Sequence, residues 1–117
     1  MVNNPSQGFI ATIPRGITDT QRLLDILFEQ LKLPGYFGFN WNALSDCLTD
    51  FHWVSEYNIF LVHEDLPALP SIDLSNYIEV LGDSIRTWKR RGGHRFIVVL
   101  PESCRVEIER IVKSNKE

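Results

Sequence analysis

An α/β fold is what this sequence predicts: a small layered structure with a three-stranded parallel sheet, helices packed on it, and a helical extension at the C-terminus. Two observations lead there. Three short β-favouring runs, GFIATI at 8–13, YNIFLV at 57–62 and RFIVVL at 95–100, are separated by segments of helical periodicity. The order strand, helices, strand, helix, strand, helix then implies parallel pairing through right-handed crossovers.

Each element has a local signature. The first strand runs into Pro14-Arg15-Gly16, a breaker cluster. Thr18 is placed as N-cap of a helix from Asp19 to about Lys32, with Leu23, Leu24, Ile26, Leu27, Leu31 and Leu33 as its apolar stripe and Pro34-Gly35 as its stop. Asn40 caps a second helix from Trp41 to about Phe51. The run 57–62 is short and continuously β-favouring, the pattern of a strand buried on both faces. Pro67 and Pro70 punctuate a loop with room for one helical turn. Asp73 or Ser75 starts a longer helix to Arg91, with Leu74, Tyr77, Ile78, Leu81, Ile85 and Trp88 on one side, and Gly92-Gly93 ends it. From Pro101, tolerated in a first turn, to about Lys113 the sequence reads as a terminal helix.

A chain of 117 residues is expected to be one domain, 1–117, with a core over about 8–100 and an extension over 101–117. Its 44% hydrophobic and 23% charged residues exclude whole-chain disorder. The start, MVNNPSQGF, lacks a cationic segment followed by an apolar run, so no signal peptide is expected. No apolar stretch nears the roughly 20 residues that cross a bilayer. Cys47 and Cys104 are too few for a metal site or a disulfide framework and are expected to be reduced thiols in a cytoplasmic protein. The net charge of −3 hides a segregation: residues 33–85 hold eight Asp/Glu and no Lys or Arg, whereas 86–116 hold nine Lys/Arg against three Glu. Such a chain can carry a polarised field that steers partners.

The middle segment, LPGYFGFNWNALSDCLTD at 33–50, concentrates the functional signal. On a helix, Leu44, Cys47, Leu48 and Phe51 make one buried stripe, and Asn42, Asp46, Thr49 and Asp50 fall on the exposed side. Asp46 and Asp50 are like charges at i and i+4, and both lie toward the negative end of the helix dipole. No cation nearby in sequence compensates them, and local misfits of this kind mark functional sites. Tyr36, Phe37, Phe39 and Trp41 cannot all be packed by one short loop, so at least one ring is expected to be exposed. Exposed rings beside carboxylates have the composition of an interface hot spot, and Gly35 and Gly38 permit close backbone approach.

The spaced run Leu33-Pro34-x-Tyr36-Phe37-Gly38-x-Asn40-x-x-Ala43-Leu44-x-Asp46-Cys47-Leu48-Thr49 closely resembles the signature segment of the barstar family, intracellular protein inhibitors of the secreted bacterial ribonuclease barnase. The order of elements from 8 to 100 is similar too. The resemblance implies a barstar-like fold and a non-enzymatic ribonuclease inhibitor, an immunity protein or antitoxin of the bacterial cytoplasm. It further implies no cofactor or metal, a monomer when free, and a basic, extracellular-type, barnase-like ribonuclease or related toxin as partner. In the family the loop and second helix, 35–51 here, plug the nuclease active site, where a helix carboxylate takes the place of the substrate phosphate; the matching position is Asp46. Tyr36 matches the aromatic that packs on a catalytic imidazole, and Gly38 and Asn40 match loop contacts. Trp41 stands where the family has leucine, Phe51 where it has tryptophan, and Asn42 where it has a second helix acid. Ser45 replaces a tryptophan, Asp50 a glycine, and a late-helix glutamate falls at Trp88. The expected partner face is therefore Tyr36, Gly38, Asn40, Trp41, Asn42, Ser45, Asp46, Asp50 and Phe51.

Other chemistry is weakly signalled. His52, His63 and His94 occur singly, without ligand spacing, and His63-Glu64-Asp65 reads as a solvated strand end. Cys47 lies on the buried stripe without the cationic neighbour that activates a nucleophile. The run Trp88-Lys89-Arg90-Arg91 complements a helix dipole, and neither a nucleic-acid nor a membrane partner is expected. Two further readings remain: a barstar-like module that binds a different basic protein, and an enzyme using His52 or His63 with a nearby acid.

Overall fold

A computed structural model of the chain describes residues 8–115. The start of the chain, where no leader is expected, lies outside the described residues. Strands β1 (Gly8–Ile13), β2 (Asn58–His63) and β3 (Arg95–Val99) form one parallel sheet in the order β1-β2-β3. Helices α1 (Thr20–Gln30) and α2 (Trp41–Leu48) connect β1 to β2, and α3 (Ser71–Arg91) connects β2 to β3. A short 3-10 turn at Glu102–Cys104 leads into α4 (Arg105–Asn115), the C-terminal helix.

Register sets which face is core. Ala11 pairs with Leu61 and Leu61 with Val98; Phe9 pairs with Ile59 and Ile59 with Phe96. On that face Ala11, Ile13, Ile59, Leu61, His63 and Phe96 are buried. Alternate residues point the other way, where Phe60 and Val62 are half-buried and Ile10 and Val99 are 54% and 42% exposed. The expectation that β2 is buried on both faces is thus corrected. Right-handed crossovers between strands added in the order 1-2-3 bring every connecting helix onto one face, so the other stays open.

Element ends differ from the sequence-based bounds by a few residues, for local reasons. Asp19, not Thr18, caps α1, its carboxylate accepting the Arg22 N–H at 2.9 Å. α2 stops at Leu48, before Phe51. α3 begins at Ser71, directly after Pro70, whose fixed φ suits a helix entrance, and the preceding loop contains no helical turn. The strand end at His63 is buried rather than solvated, at 3% exposure. Its Nδ1 lies 3.1 Å from the Val99 carbonyl, which can only accept, so Nδ1 carries the proton and Nε2 accepts from the Tyr77 hydroxyl at 2.6 Å. Burial pushes the His63 pKa down to about 4 against the opposing pull of backbone carbonyls. Cys47 and Cys104 are buried, unbridged thiols. Among the described residues no helix is long and apolar enough to cross a membrane.

Candidate functional site

α2 has eight residues, too few to be stable alone, and its ends are held by tertiary contacts. Asn40 accepts the Ala43 N–H at 2.8 Å and donates to the Gly38 carbonyl at 3.2 Å. A Cβ on Gly38 would lie 3.3 Å from the Asn40 amide nitrogen, so glycine lets the loop close on the cap. The Trp41 indole N–H donates to Asp73 Oδ1 at 3.2 Å, and its ring packs tilted against Tyr77, 5.8 Å between centroids. Asp73 Oδ2 accepts the Thr20 hydroxyl at 2.9 Å. One carboxylate in the first turn of α3, at the favoured end of that helix dipole, ties together the first turns of α1 and α2.

At the other end, α3 occupies carbonyls that helix termination leaves free. The Trp88 indole N–H donates to the Leu48 carbonyl at 2.7 Å, and the Arg91 guanidinium donates to that of Thr49. Arg91 also lies 4.9 Å from the Trp88 ring centroid, a cation–π contact. Two aromatic residues bracketing the helix and its cap, Phe39 and Phe51, have left-handed backbone, with φ of 52° and 47°. That conformation is rare for bulky side chains and costs about 1–3 kcal/mol each. Ring packing offsets it. Phe39 sits 5.2 Å from Phe28 and 4.7 Å from Phe37, and Phe51 is fully buried among Trp53, Trp88, His94 and Phe96.

The face this frame leaves open carries Tyr36, 70% exposed, with Asn42, Asp46 and Asp50 exposed and Ser45 half-buried. Partial desolvation, then the charge of Asp50, raise the Tyr36 phenol above its ordinary pKa, so loop ring and carboxylate share one electrostatic neighbourhood. Asp46 enters no ion pair among the described residues, whereas Asp50 Oδ2 lies 2.7 Å from His52 Nδ1. The Asp50 N–H bonds the Cys47 carbonyl in a turn beyond the helix, so the dipole mismatch falls chiefly on Asp46. Burial, then Asp50 and Asp46, raise the pKa of the Cys47 thiol, which excludes an activated nucleophile.

The aromatic loop is resolved ring by ring: Phe37 is buried, Phe39 and Trp41 are half-buried, and Tyr36 is open to solvent. Phe51 is a correction. It has 0% exposure, as the buried stripe of Leu44, Cys47 and Leu48 led one to expect, and so presents no surface to a partner, against its place on the expected partner face. Trp88 is likewise an internal clamp, 5% exposed. Gly38 and Asn40 are exposed and shape the helix start, while Trp41 spends its indole N–H on Asp73. Sequence reasoning missed Arg91, His52 and Asp73 as parts of this frame. Two of these contacts span 32 and 42 residues, and no local pattern encodes them.

Such a short helix, pinned on a three-stranded parallel sheet and presenting acids beside an open tyrosine, defines a mixed α/β protein with a pre-shaped polar surface. A family model described as Barstar (barnase inhibitor) matches residues 9–101. The chain belongs to the Barstar family, whose members are inhibitors rather than enzymes. A search of curated proteins finds no match. The family match stops short of α4.

Proposed function

We propose that the chain inhibits a barnase-like ribonuclease as an immunity protein or antitoxin, plugging its active site with the loop and helix 35–50 and placing the Asp46 carboxylate where the substrate phosphate binds. One observation carries this: Asp46 is an exposed carboxylate with no ion pair among the described residues, on a helix fixed at both ends. A carboxylate accepts charge-assisted hydrogen bonds from the arginine and histidine of a nuclease site, much as a phosphate does. Fixing the helix beforehand lowers the ordering cost of binding. Tyr36 supplies an aromatic face beside the acids, and Asn40, Asn42, Ser45 and Asp50 surround them.

A second reading, a module for a different basic protein, is favoured by Asn42 and Ser45 in place of the family's acid and tryptophan. Both readings are separated by mixing the protein with a panel of small bacterial ribonucleases and following RNA cleavage. Stoichiometric inhibition that disappears with Asp46→Ala is the expected result. Inhibition undiminished by that substitution rules out phosphate mimicry; no inhibition, with binding to another basic protein, establishes the second reading.

A further inference from the structure

The basic end of α3 is only partly used by α2. Arg91 caps Thr49, but Lys89 lines a cleft of about 390 Å³ between the last turns of α3 and the edge strand β3. Trp88, Phe96 and Ile97 give the cleft apolar surface, Arg95 adds a second cation, and Tyr57, 57% exposed, adds an open ring. Among the described residues no Asp or Glu lines it, although the protein as a whole carries −3. Neither Lys89 nor Arg95 enters an ion pair among the described residues. Helix-dipole complementarity accounts for cations in the last turn of α3. It does not account for Arg95, which stands on β3 beyond Gly92-Gly93.

The volume falls within the range of small-molecule sites, roughly 300–1,000 Å³. Arginine offers a planar fork that matches phosphate oxygens, and lysine a compact charge. An exposed aromatic ring is a stacking platform for a base. We infer that this cleft binds a nucleoside monophosphate, its phosphate between Lys89 and Arg95 and its base against Tyr57. The site is separate from the α2 face and does not rest on ribonuclease inhibition.

The test titrates the ¹⁵N-labelled full chain with AMP, and with adenosine and inorganic phosphate separately, following backbone amide shifts. AMP is expected to give saturable shifts at Tyr57, Lys89, Gly92 and Arg95, with adenosine and phosphate each at least about tenfold weaker. Arg95→Glu and Lys89→Glu, both at exposed positions, are expected to weaken AMP by about tenfold or more with spectral dispersion retained. Tyr57→Leu, which keeps both cations, is expected to weaken AMP without changing the affinity for phosphate. Absence of saturable shifts up to about 10 mM AMP, shifts outside the cleft, phosphate binding as tightly as AMP, or unchanged affinity in both charge reversals would overturn the inference.

Discussion

Asp46 sits toward the negative end of the α2 dipole, a place that costs an exposed carboxylate about 0.3–1 kcal/mol. The proposed role of Asp46 and the stability of α2 therefore pull apart at this residue. Asp46→Ala is expected to leave the unfolding free energy unchanged or raise it by up to about 1 kcal/mol, measured in urea, while abolishing inhibition. His63 pulls in another direction. Its folded pKa of about 4 lies below the ordinary 6.5, so between those values the unfolded chain binds the extra proton. The stability contributed by neutral His63 is complete above pH 6.5 and is lost as pH falls toward 4. The loss amounts to roughly 3 kcal/mol over the window. Unfolding free energies measured from pH 7 to 4 should fall more steeply in the wild type than in His63→Gln, which cannot take up that proton.

At the scale of elements, α2 is a short helix with little stability of its own, held by Asn40 and Trp41 in front and by Trp88 and Arg91 behind. Trp88→Phe keeps a ring in the core but leaves the Leu48 carbonyl without its donor, which costs about 1–3 kcal/mol. Amide exchange should show the loss as faster opening of α2 than of β2; uniform acceleration across the chain would argue against a local clamp. The buried stripe Leu44, Cys47 and Leu48, the Asn40 cap and the exposure of one loop ring were all legible in the sequence, because helical period and capping are short-range. Phe51 was misread only as a partner residue. Helical periodicity placed it rightly on the buried stripe, although the chain leaves the helix at Leu48 and turns left-handed at Phe51; the partner-face placement came only from the family tryptophan at that position, and a ring with 0% exposure does not fill that role. The Arg91 contact with the Thr49 carbonyl bridges 42 residues and lay beyond any local pattern, yet it leaves the Asp46 carboxylate without an ion pair among the described residues, as the sequence suggested.

Across the whole molecule, the order β1-β2-β3 puts the helices on one face of the sheet, and the acidic middle of the chain is spread over several elements: Asp46 and Asp50 on or beside α2, Glu64 and Asp65 after β2, and Asp73, Glu79 and Asp83 on α3. Charge segregation in sequence is thus partly mixed by the fold: Arg86 pairs with Asp83, Arg105 with Glu102 and Glu109, Arg91 caps Thr49, and Lys89 and Arg95 line the α3–β3 cleft. Association of the acidic face with a basic nuclease should slow as salt rises, with dissociation much less affected; the barnase–barstar pair is itself the reference case for such steering. Stopped-flow rates between about 10 mM and 0.5 M salt would show this, and a salt-independent association rate would argue against steering. Phosphate mimicry turns on one functional group, and the test is a comparison of the dissociation constants of the wild type and Asp46→Asn for a barnase-like ribonuclease that the wild type inhibits in the cleavage assay. Asparagine keeps the size and loses the charge, so a rise in Kd of about a hundredfold or more is expected if the carboxylate stands in for phosphate. Equal dissociation constants would contradict that account.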